Sequence, residues 1–472
     1  MTSYTAILLC LGFYSCAWSV EWTWTWTPAA GDKPVSAAVS PFKYGKDWAY
    51  AIEIDDGPKW VRSFAVPFLA AYSFTDAPPG VPGGRRLPFV GSVATVAAST
   101  GFNSASVDWA DLRALVDAGW GVMNHSFDHR GKHWEEAAKL DDRAVTEDAY
   151  WSQTLLAAGL PGLRAPSGAV YANGYTDYNR NGVLAQAGIA IATRVGGKSP
   201  RDLTSQQVDW LDFPRNYLDD GVWTKNGGEP MADIPGANAD GPSPGTLLID
   251  FTHVIDQKPD SANQRRWRTR LETIERRWGA GGADRLWCAP TAEVADYVKA
   301  AKTASISVKP GRLSINLPDS MPGSALTLRL RGIGAKASVA APPGGVLHRQ
   351  DGDVVLTTPL IGTRGAVPPS PALIPIYDGK PVSTDFAKPA RIAGVILGIN
   401  GRPKADSTWT LALRTTTGEK PIGSRTLTAG MWVAAAQLCP LVPSSEPLLA
   451  SGIIVTPTPE VQRMVVWAIA DP

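Results

Sequence analysis

Two histidines stand four residues apart in His125-Ser126-Phe127-Asp128-His129, and they are two of only 5 in a chain of 472 residues. On a helical turn that spacing puts both imidazoles on one side, within reach of a single metal ion. The pair Asp55-Asp56, followed by Gly57 and Pro58, offers what such a centre lacks. Adjacent carboxylates repel, so keeping both ionised calls for a cation or a proton between them. One can complete a site of two imidazoles and one Asp. The other then stays free to take a proton from metal-activated water. Each element also has a plainer reading, as surface histidines or as a strand-ending Asp-Gly turn.

Three further elements follow in order. Leu163-Arg164-Ala165-Pro166-Ser167-Gly168 sets a cation beside a turn, and Asp209-Trp210-Leu211-Asp212-Phe213 can supply its carboxylate partner. Leu247 to His253 is an apolar run ending in a histidine, a position that suits a general acid.

Taken together, these five elements resemble the motifs of the polysaccharide deacetylases, the NodB-homology carbohydrate esterases. The resemblance runs from about Tyr44 to Lys302 and includes the closing segment Leu286 to Tyr297. It implies that Asp55 is the catalytic base and that Asp56, His125 and His129 hold one divalent metal. Zinc is the expected ion, with cobalt and nickel as alternatives. By the same resemblance Arg164 orients the base, Asp212 is its partner, and His253 is the general acid. Pro166, Ser167, Trp210 and Phe213 would line the substrate cleft, with a backbone N–H near Ser167 stabilising the oxyanion. The implied fold is a distorted (β/α)7-type barrel with its cleft at the strand ends. Three positions depart from the family pattern: Glu53-Ile54 replaces Thr-Phe as a packing difference, Ser167 replaces an aromatic residue, and Phe213 replaces a Trp.

The elements needed to position these groups are legible. Trp48 to Ile54 is a strand candidate ending at Asp55. Helical spacing marks 109–118, 146–158, 181–188, 263–278 and 293–301, and the alternation with short apolar runs predicts an α/β domain. Two Gly/Pro-rich stretches, 76–86 and 219–245, are expected around the cleft. Beyond about Ala304 the period becomes two, which predicts an all-β, sandwich-like region. Expected boundaries are 1–19 as a signal peptide, 20–43 as an N-terminal strand segment and 44–303 as the catalytic domain. A β-rich region (304–362), a Pro-rich linker (363–373) and a β-sandwich-like domain (374–472) follow.

Composition sets the outer limits. Lys+Arg 45 against Asp+Glu 44 leaves a net charge of +1, which argues against a nucleic-acid partner. Residues 6–13 form an apolar run too short to span a bilayer, with small residues at Ala17 and Ser19 before Val20. Secretion or a periplasmic location is therefore expected, with a lipoprotein site at Cys16 as a poorer fit. An oxidising compartment would permit Cys288 and Cys439 to pair. Trp22, Trp24 and Trp26 share one strand face, either as a sugar platform or as packing. His133 is expected as a surface residue or one behind the metal ligands, incidental to the chemistry, and His348 exposed in the tail. The leading expectation is a secreted deacetylase of an acetylated polysaccharide, N- or O-linked. Its rivals are a carbohydrate-binding protein on an inactive scaffold and an amidohydrolase of a small non-glycan amide.

Overall fold

The structure is a computed structural model describing residues 19–29, 34–100, 105–127, 129, 142–160, 165–174, 176–196, 201–204, 207–219, 234, 241–255, 261–318, 324–361, 372–378, 383–400, 407–427, 448–457 and 463–470. Residues 1–18 of the expected signal segment (1–19), Arg164, His133 and Cys439 lie outside the described residues.

Seven parallel strands close into a barrel. They are β1 (Trp48–Ile54), β2 (Ser92–Thr95), β3 (Gly121–Asn124), β4 (Gly168–Val170), β5 (Ile191–Val195), β6 (Phe213–Tyr217) and β7 (Thr246–Thr252). Neighbours pair in that order, and β7 returns to β1 in parallel from Leu247 opposite Ala49 to Thr252 opposite Ile54. Both β1 and β7 are buried along their whole length. This is why their sequences read as near-continuous apolar runs, as strands of a covered parallel sheet do.

Helices wrap the barrel where the sequence has 3.6-residue spacing. They include α1 (Trp109–Asp117), α2 (Asp142–Gly159), α3 (Ala262–Trp278) and α4 (Thr291–Thr303). In α3, Trp267, Arg270, Leu271, Ile274 and Trp278 form the buried face, and the Ser261 hydroxyl accepts from the Gln264 N–H to cap the start. Instead of flanking the strands, α4 crosses their N-terminal ends. Its Thr291 N–H meets Ser92 Oγ at 3.1 Å, and Lys299 Nζ meets the Ala190 carbonyl at 2.6 Å. That end of the barrel is therefore closed.

The rest is antiparallel β. Ser19–Thr25 pairs with Arg312–Pro318, and Ser36–Val39 pairs with Thr327–Arg331, so N-terminal chain completes sheets built from beyond the barrel. A six-stranded sheet holds the strands from Ala372–Asp378 to Arg463–Ala470. Trp24 and Trp26 are buried and stacked at 5.4 Å, with Trp24 Nε1 donating to the Ala340 carbonyl. The packing reading of this Trp face holds. The loop 76–86 does not border the cleft: it follows the helix Val66–Ala70 and precedes β2, at the α4 end. There His348, half-buried and not exposed as expected, meets the Asp76 carbonyl through Nε2 at 3.1 Å. Among the described residues, no helix is long and apolar enough to cross a membrane.

Candidate metal and active site

In a parallel barrel the groups that follow the strands gather at the C-terminal rim. Asp55 and Asp56 follow β1, His125 follows β3 and His253 follows β7. Asp56, His125 and His129 each offer a ligand atom, all within 4.8 Å of one another. Asp56 Oδ1 lies 3.4 Å from His125 Nε2 and 3.5 Å from His129 Nε2.

The two imidazoles do not share a helical turn as their spacing suggested. Residues 125–127 and 129 are loop, with Ser126 and His129 in the left-handed region at φ 65° and 55°. Side chains and backbone hold that loop instead. Asn124 Oδ1 accepts the Ser126 N–H, Asp148 accepts the Phe127 N–H, and Ser126 Oγ accepts the His129 N–H. Asp56 is left-handed too, at φ 67°, so three non-glycine residues carry local backbone strain around one point. The adjoining Gly57 allows the close approach, since a Cβ there would meet Thr95 Oγ1 at 2.7 Å.

The donor set fits a divalent cation. His125 Nδ1 lies 3.0 Å from the Val170 carbonyl, which can only accept, so Nδ1 carries the proton and Nε2 the lone pair. That Nε2 is buried without a hydrogen-bond partner among the described residues. A buried imidazole nitrogen with its lone pair free, beside a carboxylate and a second imidazole, is the donor set that a divalent ion takes. Burial pulls His129 down to about 4, which leaves it neutral and able to bind. Burial alone would raise the Asp56 pKa, but the two imidazoles outweigh it and keep the carboxylate ionised.

Asp55 is buried and held by Arg215, a residue that the motifs did not point to. Arg215 Nη1 and Nη2 meet its two oxygens at 2.7 and 2.6 Å, and Phe251 covers the guanidinium 3.7 Å from its ring centre. Burial pushes the Asp55 pKa up, and Arg215 together with His125 more than reverses this. His253 faces Asp55 through Nε2 at 3.9 Å, while its Nδ1 lies 3.2 Å from Asp219 Oδ2. Asp219 also accepts the His253 backbone N–H at 2.8 Å, and Tyr217 packs edge-on against the imidazole.

The remaining expected residues sit elsewhere. Asp212 is ion-paired with Arg194. Pro166 and Ser167 precede β4, and Asp212 precedes β6, so all three lie at the N-terminal ends of their strands. Ser167 is buried, and its hydroxyl donates to Asp296 of α4. Phe213 is buried in the core with Trp210 stacked on it at 6.2 Å. The expected substrate contacts at Pro166, Ser167, Trp210 and Phe213, and an oxyanion donor near Ser167, are thus corrected. Residues that precede a strand cannot reach a cleft formed where the strands end. Sequence reasoning missed Arg215, Glu53 and Asp219. The signal available was weak: charged residues at alternate positions of short strands, on the face that turns into the barrel.

No protein-family model matches the chain, and no curated protein matches it. Solved structures do. A deacetylase of Streptococcus pyogenes in complex with acetate aligns over 35% of this chain and 62% of its own, at 14% identity and a TM-score of 0.28. A Bacillus cereus polysaccharide deacetylase aligns over 35% and 45%, at 15% identity and a TM-score of 0.27. A de-N-acetylase from Aggregatibacter actinomycetemcomitans aligns over 35% and 68%, at 14% identity and a TM-score of 0.25. In this segment the chain is similar to polysaccharide deacetylases. The aligned part spans less than two thirds of the first two.

Proposed function

We propose that the protein is a metal-dependent deacetylase that removes N- or O-linked acetyl groups from a polysaccharide. The observation that carries this reading is the convergence of three groups at one barrel end. A two-His, one-Asp donor set is joined there by a carboxylate locked by an arginine and an imidazole locked by a carboxylate, the last two facing each other at 3.9 Å. A divalent ion held by Asp56, His125 and His129, zinc being the expected one, would polarise the acetyl carbonyl and lower the pKa of a nearby water.

The chain's own residues account for the protons. Asp55, kept ionised by Arg215, takes a proton from the attacking water. His253 gives a proton to the departing amine or alcohol through Nε2, because Asp219 occupies its Nδ1 side. Acetate and a free amino or hydroxyl sugar result. Secretion and the polysaccharide substrate are part of the proposal and rest on the sequence reading. The assignment of Asp55 as base, His253 as acid and Asp56, His125 and His129 as ligands is supported by their convergence. In this reading Arg215 orients Asp55; Arg164, to which the motifs gave that role, lies outside the described residues.

The test is acetate release from a panel of acetylated glycans, with bound metal measured in parallel. Asp55→Asn is expected to abolish release while metal stays bound, and His125→Ala to lose both. Full activity in the Asp55 variant would sink the mechanism.

A further inference from the structure

Glu53 is a fully buried carboxylate two residues before Asp55, on the same face of the chain as it runs through β1. Its environment is not that of a packing residue. Oε1 accepts from the Thr291 hydroxyl at 2.7 Å, and Oε2 accepts from the Thr193 hydroxyl at 2.8 Å and from Arg215 Nη1 at 2.9 Å. The same Nη1 donates to Asp55 Oδ1 at 2.7 Å. One guanidinium therefore bridges two carboxylates inside the barrel, out of contact with water.

Two buried like charges on one strand face repel, and a buried guanidinium is costly unless its partners are complete. Asp55 and the Phe251 ring hold the guanidinium on one edge and one face. Glu53 adds a second charged partner on Nη1 and is itself tied to β5 through Thr193 and to α4 through Thr291. The chain of contacts runs from the closed end of the barrel to the reacting end. Glu53, which stands where the resembling family has Thr, is the anchor of this chain and more than a packing difference.

We propose that Glu53 is a positioning residue for the base, fixing the Arg215 guanidinium so that both of its Nη groups meet Asp55. This rests on the deacetylase reading above. It adds to that reading a second buried carboxylate that acts through Arg215 and touches no substrate.

The test uses the full-length, zinc-loaded protein and 4-nitrophenyl acetate as a generic acetyl ester. Its nitrophenolate leaves without needing a proton, so the assay isolates the base step from His253. Glu53→Gln is expected to lower kcat about tenfold to a hundredfold, the scale of a small misplacement of a reacting group, with KM changed less than about twofold. Arg215→Met should lower kcat at least as much. The Glu53→Gln/Arg215→Met double variant should fall no further than Arg215→Met, because Glu53 acts only through the arginine. An unchanged kcat in Glu53→Gln, or losses that multiply in the double variant, overturns the proposal. Should Glu53→Gln fail to fold, Thr291→Val removes one of the bonds holding Glu53 and is expected to lower kcat in the same direction; an unchanged kcat there counts against the proposal.

A second readout needs no activity. In arginine-labelled protein the Arg215 guanidinium N–H resonances are expected to be resolved and slow to rotate, and to collapse by rotation in Glu53→Gln. Wild-type protein that releases no acetate removes the deacetylase reading alone. The positioning claim then stands or falls on whether those resonances differ between the two proteins.

Discussion

Asp219 grips His253 twice, accepting its backbone N–H at 2.8 Å and lying 3.2 Å from its Nδ1. The ring is thereby turned so that Nε2 looks at Asp55. Burial alone would lower the imidazole pKa. The hydrogen bond to Asp219 and the charges of Asp55 and Asp56 outweigh it, so the folded value lies above 6.5. A raised histidine keeps its proton at low pH and loses it as pH rises through the folded pKa. The alkaline limb of kcat on a natural acetyl substrate is therefore expected to follow the loss of this proton. Asp219→Asn should move that limb to lower pH, and an unmoved limb would count against the pairing. His253→Ala should cost roughly 10²- to 10⁴-fold in kcat.

Metal binding should stabilise the fold itself. Asp56 follows β1 and His125 follows β3, so an ion held by both ties separate strands together. Zinc at about 100 times its Kd is expected to add about 2.7 kcal/mol of stability. Thermal unfolding with and without a chelator measures this. In His125→Ala the chelator-dependent shift should vanish.

Helix α1 begins with a reciprocal cap. Asp108 accepts the Asp111 N–H at 2.8 Å, and Asp111 accepts the Asp108 N–H while pairing with Lys59 and Arg62. Burial pushes the Asp111 pKa up, but these partners outweigh it and hold the group at about 2, below its ordinary 3.8. A depressed carboxylate contributes stability above 3.8 and loses it as pH falls through 2. Asp111→Asn is expected to cost about 1 kcal/mol in urea unfolding at pH 7. The gap between variant and wild type should narrow as the pH drops towards 2; a gap independent of pH would refute the assignment.

Arg270 and Asp250 form a buried two-point pair at 2.8 and 2.9 Å, joined by the Tyr50 hydroxyl at 2.7 Å. It ties α3 to β7. Arg270→Met leaves a buried carboxylate without its counter-charge, at an expected cost of about 3–5 kcal/mol. Adding Asp250→Leu should recover most of this, since the unpaired charge is then gone. Urea unfolding of the two variants decides it: equal losses would show that packing, and not charge, sets the cost.

Much of the architecture was readable because local rules and tertiary structure agree. Trp48 to Ile54 is apolar at nearly every position and is buried on both faces in β1. Trp267, Leu271 and Ile274 repeat at helical spacing and form the inner side of α3. Where contacts between distant segments decide, reading along the chain stopped short. Nothing local distinguishes Asp212, which meets Arg194, from Asp219, which meets His253. Both carboxylates flank β6, one before it and one after, and only the direction of the strand tells which reaches the cleft.

The sequence by itself determined which residues could do chemistry: 5 histidines, an Asp pair and the strand-like runs that end beside them. Their types, their spacing and the apolar periodicity are properties of neighbours in the chain. Tertiary structure alone decided that His125 and His129 sit on a strained loop and not on a helical turn, meeting Asp56 from another strand. It also decided that Arg215 is the arginine on Asp55, across 160 residues of chain. Closing a barrel brings together the ends of strands far apart in sequence, and no local pattern records which buried charge will find which partner.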